Sequence, residues 1–204
     1  MISLVHRTLF VHIPKCAGQS VEAAFCEDLG LKWQKHRYLL GCFERPKGWP
    51  KAMPDRLAHL SAHEYVARNM LPKALFNSFY RFAIVRDPVE RAISMWRFLP
   101  YEKPFENFVR DELPKRLAAG DFFYRRQRAY VVDPETGEML VDHIIPYSEL
   151  GKHWPQVMRR SGIMKPLGHR NSAPGTKEHP QVTGSMRDTL RELFRDDYET
   201  FARF

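Results

Sequence analysis

The sequence predicts an α/β fold in which helices flank a central parallel sheet. Two apolar runs of strand length, residues 8–13 and 79–85, each lead through a short turn into apolar residues with helical spacing. Strands that alternate with helices are typical of a parallel sheet covered on both faces. A chain of 204 residues is long enough to bury the core of one such domain, so we expect residues 1–204 to form a single domain.

The other elements follow from apolar patterns and turn residues. Proline, glycine and lysine are frequent at 44–54, which predicts a surface loop, and a polar loop is predicted at 168–180. The predicted strands are 8–13, 37–43, 79–85, 129–132 and 139–145. Apart from a helix that begins at Pro88, the predicted helices are 18–29, 61–71, 105–117, 148–161 and 185–201.

The turn after the strand at 79–85 carries a complete helix-start signal. Asp87 is a good N-cap residue, Pro88 suits the first helical position, and Glu90 completes a capping-box pattern. The apolar face that follows at helical spacing consists of Val89, Ala92, Ile93 and Trp96.

Composition narrows the classes of protein to consider. Hydrophobic residues make up 44% of the chain and aromatic residues 13%, which excludes an intrinsically disordered chain. The formal net charge of +8 suits an anionic cofactor or substrate, a nucleic acid or an acidic surface. Cys16, Cys26 and Cys42 are an odd number of cysteines and favour a reducing compartment. With neither a signal peptide nor a membrane-spanning stretch in the sequence, we expect a cytoplasmic protein.

The first strand-to-helix turn has the parts of an anion site. It holds one lysine, Lys15, one glycine, Gly18, and one serine, Ser20. A strand–loop–helix order aims backbone N–H groups and a helix N-terminus at one point, where phosphate or sulfate binds well. Ligands of parallel sheets bind beyond the carboxyl ends of the strands, so we expect this turn and the turn at 86–88 to converge on one ligand.

Two alternative functions fit parts of the sequence. A nucleotide kinase or NTPase has its loop lysine after the last glycine and a magnesium-binding carboxylate, whereas Lys15 precedes Gly18 and Asp87 is better suited to capping a helix. A nucleic-acid-binding module has a basic stripe with interleaved aromatic residues, whereas the basic residues here are spread along the chain. Both alternatives rank below a function that uses the two turns together, and no nucleic-acid partner is expected.

The loop at 12–20 resembles the 5′-phosphosulfate loop of sulfotransferases that use 3′-phosphoadenosine 5′-phosphosulfate (PAPS). The resemblance is to the branch that contains the Golgi carbohydrate sulfotransferases and many bacterial relatives, and Gln19 stands where those proteins usually carry threonine. Residues 85–94 resemble the family's 3′-phosphate-binding segment, and 137–150 and 168–172 resemble later family segments. The resemblance implies a P-loop-NTPase-like central parallel sheet flanked by helices.

The resemblance also implies an activity and a set of cofactor-binding residues. The implied reaction moves a sulfuryl group from PAPS to a hydroxyl of a carbohydrate or small-metabolite acceptor and leaves adenosine 3′,5′-bisphosphate. Arg86 and Ser94 are expected to hold the 3′-phosphate. The loop residues expected to hold the phosphosulfate are Lys15, Cys16, Ala17, Gly18, Gln19 and Ser20. No metal is expected, because a sulfuryl group carries less charge than a phosphoryl group.

The chemistry of sulfuryl transfer suggests two catalytic residues. Negative charge develops on the leaving phosphate oxygen, and the point charge of Lys15 suits that oxygen. His63 is the expected base, since residues 60–63 resemble the segment where relatives place a histidine near the acceptor. His59, four residues earlier, is an alternative base, and a metal site built on the two histidines lacks a third ligand.

Further contacts with cofactor or acceptor are expected from two other segments. Gln127 and Tyr130 belong to a basic run, and Arg170 and Asn171 lie in the late polar loop. His12 is expected to pack under the first loop, and Cys16 to serve as a small loop residue, because the reaction needs no thiol nucleophile.

Overall fold

The computed structural model describes residues 1–41, 58–168 and 177–201, and these form a mixed α/β fold. The strands are β1 (Ile2–Ser3), β2 (Thr8–Val11), β3 (Tyr80–Val85) and β4 (His143–Pro146). The α-helices are α1 (Gly18–Asp28), α2 (Trp33–His36), α3 (Ala62–Ala67), α4 (Lys73–Ser78), α5 (Pro88–Phe98), α6 (Phe105–Asn107), α7 (Leu113–Ala118), α8 (Arg128–Val131), α9 (Leu150–Ser161), α10 (Gly184–Leu193) and α11 (Arg195–Thr200). Among the described residues, no helix is long and apolar enough to cross a membrane.

The sheet has the strand order β1-β2-β3-β4 and is mostly parallel. β2 pairs in parallel with β3, with Val11 beside Ala83, and β3 pairs in parallel with β4, with Val85 beside Pro146. Only the short β1 runs antiparallel, and it pairs with β2 through Ile2 and Leu9. Because β2 and β3 are adjacent and parallel, the turns that follow them lie side by side at one edge of the sheet.

The two central strands are buried on both faces, as expected for a helix-flanked sheet. Every residue of β2 is buried, and so is every residue of β3 except Arg81. One hydrophobic cluster joins these strands to α1 through residues such as Phe10, Phe25 and Phe82. A second cluster joins α5 to α10 and to the helical segment at 105–118. The first cluster packs α1 against the sheet, the second packs α5 against α10, and both helices begin at the carboxyl edge of the sheet.

Most predicted elements are confirmed, with shifts at their ends. The strand at 79–85 is β3, and the helices at 18–29 and 148–161 are α1 and α9. The segment at 105–117 is helical throughout, with a π-helical turn at Phe108–Glu112 between α6 and α7. The helix predicted at 185–201 divides into α10 and α11, and the one predicted at 61–71 ends early as α3.

Two predicted strands are wrong over most of their described residues, although Val132 forms an antiparallel bridge with Met139. Residues 37–40 form a 3₁₀ turn that does not pair with the sheet, and Tyr38 and Leu39 are exposed. The turn ends at Gly41, which adopts the left-handed conformation common after a helix. Residues 128–131 form α8, since a carboxylate distant in sequence holds the amides at its start. Residues 42–57 and 169–176, which include the predicted loop at 44–54, lie outside the described residues.

The predicted N-cap and first residue of α5 are confirmed, but Glu90 does not complete a capping box. The Asp87 carboxylate accepts hydrogen bonds from the backbone N–H groups of Val89 and Glu90 at 2.9 and 3.0 Å, and Pro88 occupies the first helical position. The Glu90 carboxylate lies 3.4 Å from Nη2 of Arg86. The N-terminus of α5 is therefore closed by a carboxylate of its own chain.

Replacing the α5 cap should destabilise the protein measurably. Asp87→Ala leaves two amides of the helix start without an acceptor and should lower the free energy of unfolding by about 1 kcal/mol. Asp87→Asn keeps a side-chain oxygen at the same place and should cost less. Urea denaturation of both variants measures the difference, and an equal loss would contradict the capping role.

Candidate anion-binding site at the carboxyl edge of the sheet

Two turns meet at the carboxyl edge of the sheet. One turn, residues 12–17, joins β2 to α1, and the other, Arg86 and Asp87, joins β3 to α5. The charges at this edge influence each other, because the Arg86 guanidinium contributes to a lowered pKa of Lys15. The two cationic turns therefore lie close enough for their charges to interact.

The first turn has an unusual backbone that leaves a helix start open. Lys15 and Ala17 both adopt left-handed conformations, with φ of 69° and 59°. Such conformations cost about 1 kcal/mol or more in a residue with a Cβ, and they cluster at functional sites. Ala17 is the N-cap of the 11-residue helix α1, and it offers no side-chain oxygen to the first amides. The positive end of this helix is thus available to an anion, in contrast to that of α5.

A buried histidine and carboxylate support the loop from below. Nδ1 of His12 lies 2.6 Å from Oε1 of Glu22, and both side chains are almost fully buried. Nε1 of Trp33 donates to the other carboxylate oxygen, Oε2, at 3.3 Å. A Cβ on Gly18 would lie 1.9 Å from Nε2 of His12, so the loop passes directly over the imidazole ring. His12 packs under the loop, as the sequence indicates, and position 18 has room for glycine alone.

Lys15 points from this loop over an aromatic ring. Its Nζ lies 4.0 Å from the centre of the Phe98 ring. Burial, followed by the charge of Arg86, lowers the pKa of Lys15 to about 8. No carboxylate among the described residues forms an ion pair with Lys15. An anion beside Nζ would remove part of the cost of charging this lysine.

Arg86 presents an unused donor at the same edge. Its guanidinium lies 4.6 Å from the centre of the Tyr147 ring, and Nη2 makes the 3.4 Å contact with Glu90. Nε of Arg86 is buried and has no hydrogen-bond partner among the described residues. Buried donors without partners are rare in native proteins, so this nitrogen is a candidate donor to a ligand.

A buried glutamine joins the two turns. Oε1 of Gln127 accepts from the Arg86 backbone N–H at 2.9 Å, and its Nε2 donates to the Arg86 carbonyl at 2.8 Å. The Cys16 thiol in the first loop donates to the same Oε1 at 3.5 Å. Burial raises the pKa of the Cys16 thiol to about 11, so it stays protonated and serves as a donor. Gln127 is fully buried, and we call its side-chain amide, which bonds Arg86 and Cys16, the brace.

A buried arginine makes a second connection. The Arg91 guanidinium donates to the carbonyl of Pro14 at 3.1 Å, in the first loop, and to the carbonyls of Arg125 and Phe123 at 3.0 and 3.3 Å. The Asp197 carboxylate in α11 accepts from the amides of Gln127 and Arg128, at 3.0 and 2.8 Å. Burial raises the pKa of Asp197, while these donors and the charge of Arg91 act in the opposite direction.

The two candidate bases occupy different surroundings. Nδ1 of His59 lies 3.0 Å from the carbonyl oxygen of His12, and its ring stacks on Phe122 with 5.5 Å between ring centres. A carbonyl oxygen can only accept, so Nδ1 of His59 carries the proton and Nε2 keeps a free lone pair. Burial and the nearby His12 lower the pKa of His59 to about 3, which keeps the ring neutral.

His63 contacts a carboxylate instead of a backbone carbonyl. Its Nδ1 is 3.5 Å from the Asp133 carboxylate, and 35% of its side chain is exposed. The two histidines do not share a helix face, because Ser61 caps α3 and leaves His59 before the helix. Among the described residues, no three histidine, cysteine or acidic side chains are grouped so as to hold a metal ion.

The other predicted site residues fall into three groups. Ser20 is buried in the first turn of α1, and Ser94 is partly exposed on α5. Tyr130 is fully buried and its hydroxyl donates to the Phe122 carbonyl, which places it behind the site beside Gln127. Arg170 and Asn171 lie outside the described residues.

The sequence did not indicate the brace or the role of Arg91. An available signal was an arginine on the otherwise apolar face of α5, where a charged side chain needs buried partners.

The fold and the site together indicate a class: an α/β protein with a candidate anion site between two strand-to-helix turns. A family model described as "Sulfotransferase family" matches residues 1–165, so the chain belongs to the sulfotransferase family. This confirms the family resemblance of the two turns. No curated protein and no solved structure gave a match to the chain.

Adding a methyl group at position 18 should damage this loop. The Cβ in Gly18→Ala would meet the His12 ring, which the contact with Glu22 holds in place, so we expect a loss of about 1–3 kcal/mol in the free energy of unfolding. Gly151→Ala is the control, because no atom lies within 4 Å of its Cβ position in α9. That control should gain about 0.5–1 kcal/mol. Changes of equal sign in urea denaturation would refute the proposed contact.

Proposed function

We propose that the protein transfers a sulfuryl group from PAPS to a hydroxyl group of a carbohydrate or other small-metabolite acceptor. Membership of the sulfotransferase family supports sulfuryl transfer in general. The observation that carries the donor assignment is the pair of cationic turns, with Lys15 beside the open start of α1 and the unpartnered Nε of Arg86 nearby. Such a site suits a ligand with two separate anionic groups. The odd number of cysteines favours a reducing compartment, and we propose the cytoplasm.

The donor fits the residues at the two turns. The 5′-phosphosulfate suits the loop at Lys15–Ser20, where the helix start and the amides offer donors. The 3′-phosphate suits Arg86, whose fork of donors has one position free, together with Ser94 two turns further along α5. PAPS supplies the activated sulfuryl group, and the protein supplies positioning and charge.

Lys15 stabilises the charge that develops on the leaving oxygen. In-line transfer breaks the bond between sulfur and the 5′-phosphate oxygen while the acceptor oxygen bonds to sulfur. The electron pair of the broken bond stays on the phosphate. A protonated Lys15 lowers the free energy of the negative charge that develops there. Because Phe98 and the fold remove much of the water around Nζ, this interaction is stronger than at an open surface.

His59 accepts the acceptor proton in this proposal. The contact of its Nδ1 with the His12 carbonyl fixes the tautomer and links the ring to the phosphosulfate loop. His63, the base expected from the sequence, is paired with Asp133 and is the alternative. A nucleotide kinase or NTPase is not favoured, because its loop lysine follows the last glycine and it needs a magnesium carboxylate.

Binding of adenosine 3′,5′-bisphosphate should be coupled to protonation of Lys15. A bound phosphate raises the pKa of this lysine from its value of about 8, so affinity should fall as the pH rises above 8. At pH 8.5 the complex should take up roughly half a proton or more. Calorimetric titration in buffers of different ionisation enthalpy measures this uptake.

Two variants distinguish the contribution of Lys15 to binding from the effect of losing one positive charge. Lys15→Met should bind the bisphosphate more weakly and without proton uptake, whereas Lys115→Gln, at an exposed lysine of α7, should behave like the unchanged protein. ATP should bind weakly, since it lacks the 3′-phosphate for Arg86. Tight binding of ATP with no binding of the bisphosphate would refute the sulfotransferase proposal.

Substitution of the two histidines should distinguish the bases. His59→Asn keeps a donor near the position of Nδ1 but removes Nε2, and kcat for sulfuryl transfer should fall by about 10²–10⁴. His63→Ala should change kcat by a few-fold at most. Bisphosphate affinity should stay near that of the unchanged protein in both variants. Full turnover in His59→Asn together with loss in His63→Ala would assign the base to His63.

A further inference from the structure

A row of aromatic rings joins the proposed cation to the proposed base. Phe98 lies under Nζ of Lys15 and stacks on Phe123, with 5.8 Å between ring centres. Phe123 meets Phe122 edge-on at 6.4 Å, and Phe122 stacks on His59 at 5.5 Å. We call Phe98, Phe122 and Phe123 the aromatic shelf. A hydroxyl held between Lys15 and His59 would carry the rest of its molecule along this shelf.

The shelf is open and its backbone is fixed. Phe98 is 63% exposed, an unusual state for a phenyl ring, and Phe122 and Phe123 are partly exposed. Hydrogen bonds to Arg91, Tyr130 and Asp121 hold the backbone of the other two rings. Rings that are fixed before binding lose little conformational entropy when a ligand stacks on them. The shelf therefore has the properties of a preformed binding surface.

Phenyl rings select for apolar ligands. They offer area and stacking but no hydrogen bond, so hydroxyl groups that lose water against them go unpaired at a cost of about 1–3 kcal/mol each. A flat aromatic ring loses no hydrogen bond there and gains stacking worth about 0.5–1.5 kcal/mol per ring pair. The shelf is better matched to an aromatic ring than to a sugar bearing many hydroxyl groups.

We propose that the acceptor is an aryl hydroxyl compound, a phenol or a close relative, whose ring lies on the aromatic shelf. This inference rests on the proposed sulfuryl transfer and names its substrate class. The phenolic oxygen forms a bond to sulfur as the bond from sulfur to the 5′-phosphate oxygen breaks. The phenolic proton passes to Nε2 of His59, and the electron pair of the broken bond remains on the phosphate. The products are an aryl sulfate and adenosine 3′,5′-bisphosphate.

The acidity of the acceptor agrees with the surroundings of His59. Burial lowers the pKa of this imidazole to about 3, so it is a weak base. A phenol has a pKa of about 10, as in tyrosine, and gives up its proton far more readily than an alkyl hydroxyl. A weak base is therefore better matched to an aryl hydroxyl than to a sugar hydroxyl.

An acceptor panel tests the substrate class directly. The full chain with PAPS is assayed with 2-naphthol and 4-nitrophenol against N-acetylglucosamine and galactose, and the sulfated products are measured. We expect kcat/KM for 2-naphthol to exceed that for either sugar at least a hundredfold. Sulfation of the sugars with no sulfation of the aryl compounds overturns the proposal.

Variants at Phe98 test the shelf itself. Its exposure means that Phe98→Ala should fold, and we expect a loss of about tenfold in kcat/KM for 2-naphthol, mostly through KM. Phe98→Leu should lose less, because it keeps apolar area without stacking. The matched control is Leu75→Ala, another exposed apolar residue, on α4 at the opposite edge of the sheet.

Bisphosphate affinity separates this proposal from the function on which it rests. If Phe123→Ala, which removes the next ring of the shelf and keeps the contact of Phe98 with Lys15, binds adenosine 3′,5′-bisphosphate as tightly as the unchanged protein while KM for 2-naphthol rises, the shelf binds the acceptor. If bisphosphate affinity falls instead, the ring contacts the nucleotide and the proposal is wrong. If the unchanged protein fails to bind the bisphosphate at all, the proposed function itself fails, whatever the acceptor panel shows.

Discussion

The amide of Gln127 is the interaction on which the geometry of the site depends. A parallel pair of strands brings two turns to one edge, but it does not fix the distance between groups that extend beyond the strand ends. The amide bonds both backbone groups of Arg86 and also accepts from the thiol of Cys16, so one rigid plane holds both turns. Arg91 adds an independent connection to the Pro14 carbonyl. A ligand with two anionic groups requires a constant distance between the two turns, because a shift of about one ångström would weaken its contacts with one of them.

The same edge holds two cationic side chains close together. Lys15 and Arg86 lie close enough for one to lower the pKa of the other, and Nε of Arg86 has no acceptor among the described residues. The left-handed residues Lys15 and Ala17 add backbone strain to this loop. These costs are tolerable because the buried contacts of His12 with Glu22, and of Arg91 with three carbonyls, hold the surrounding structure rigid. An anion bound between the turns would relieve the electrostatic part of that cost.

The sequence predicted the elements whose causes are local. Asp87 and Pro88 determine the start of α5 through neighbouring amides, and the apolar runs of β2 and β3 determine burial. The helix at Arg128–Val131 was read as a strand because its start is held by Asp197, distant in the sequence. The hydrogen bonds of the Gln127 amide could not be predicted either, because Arg86 and Cys16 are also distant from it in the sequence. The position of His59 was readable, since Ser61 and Glu64 form a capping box that begins α3 after that histidine.

The segment that follows the family match supports the candidate site from behind. The family model ends at residue 165, yet the Asp197 carboxylate in α11 holds the amides of Gln127 and Arg128 at 3.0 and 2.8 Å. Leu190 in α10 packs in the cluster that supports α5. A carboxylate buried at this depth is costly unless it is well bonded, and its two backbone donors and the charge of Arg91 offset that cost. Because Gln127 in turn holds Arg86 and Cys16, the C-terminal helices influence the anion site through the brace, although they supply none of the ligand contacts proposed above.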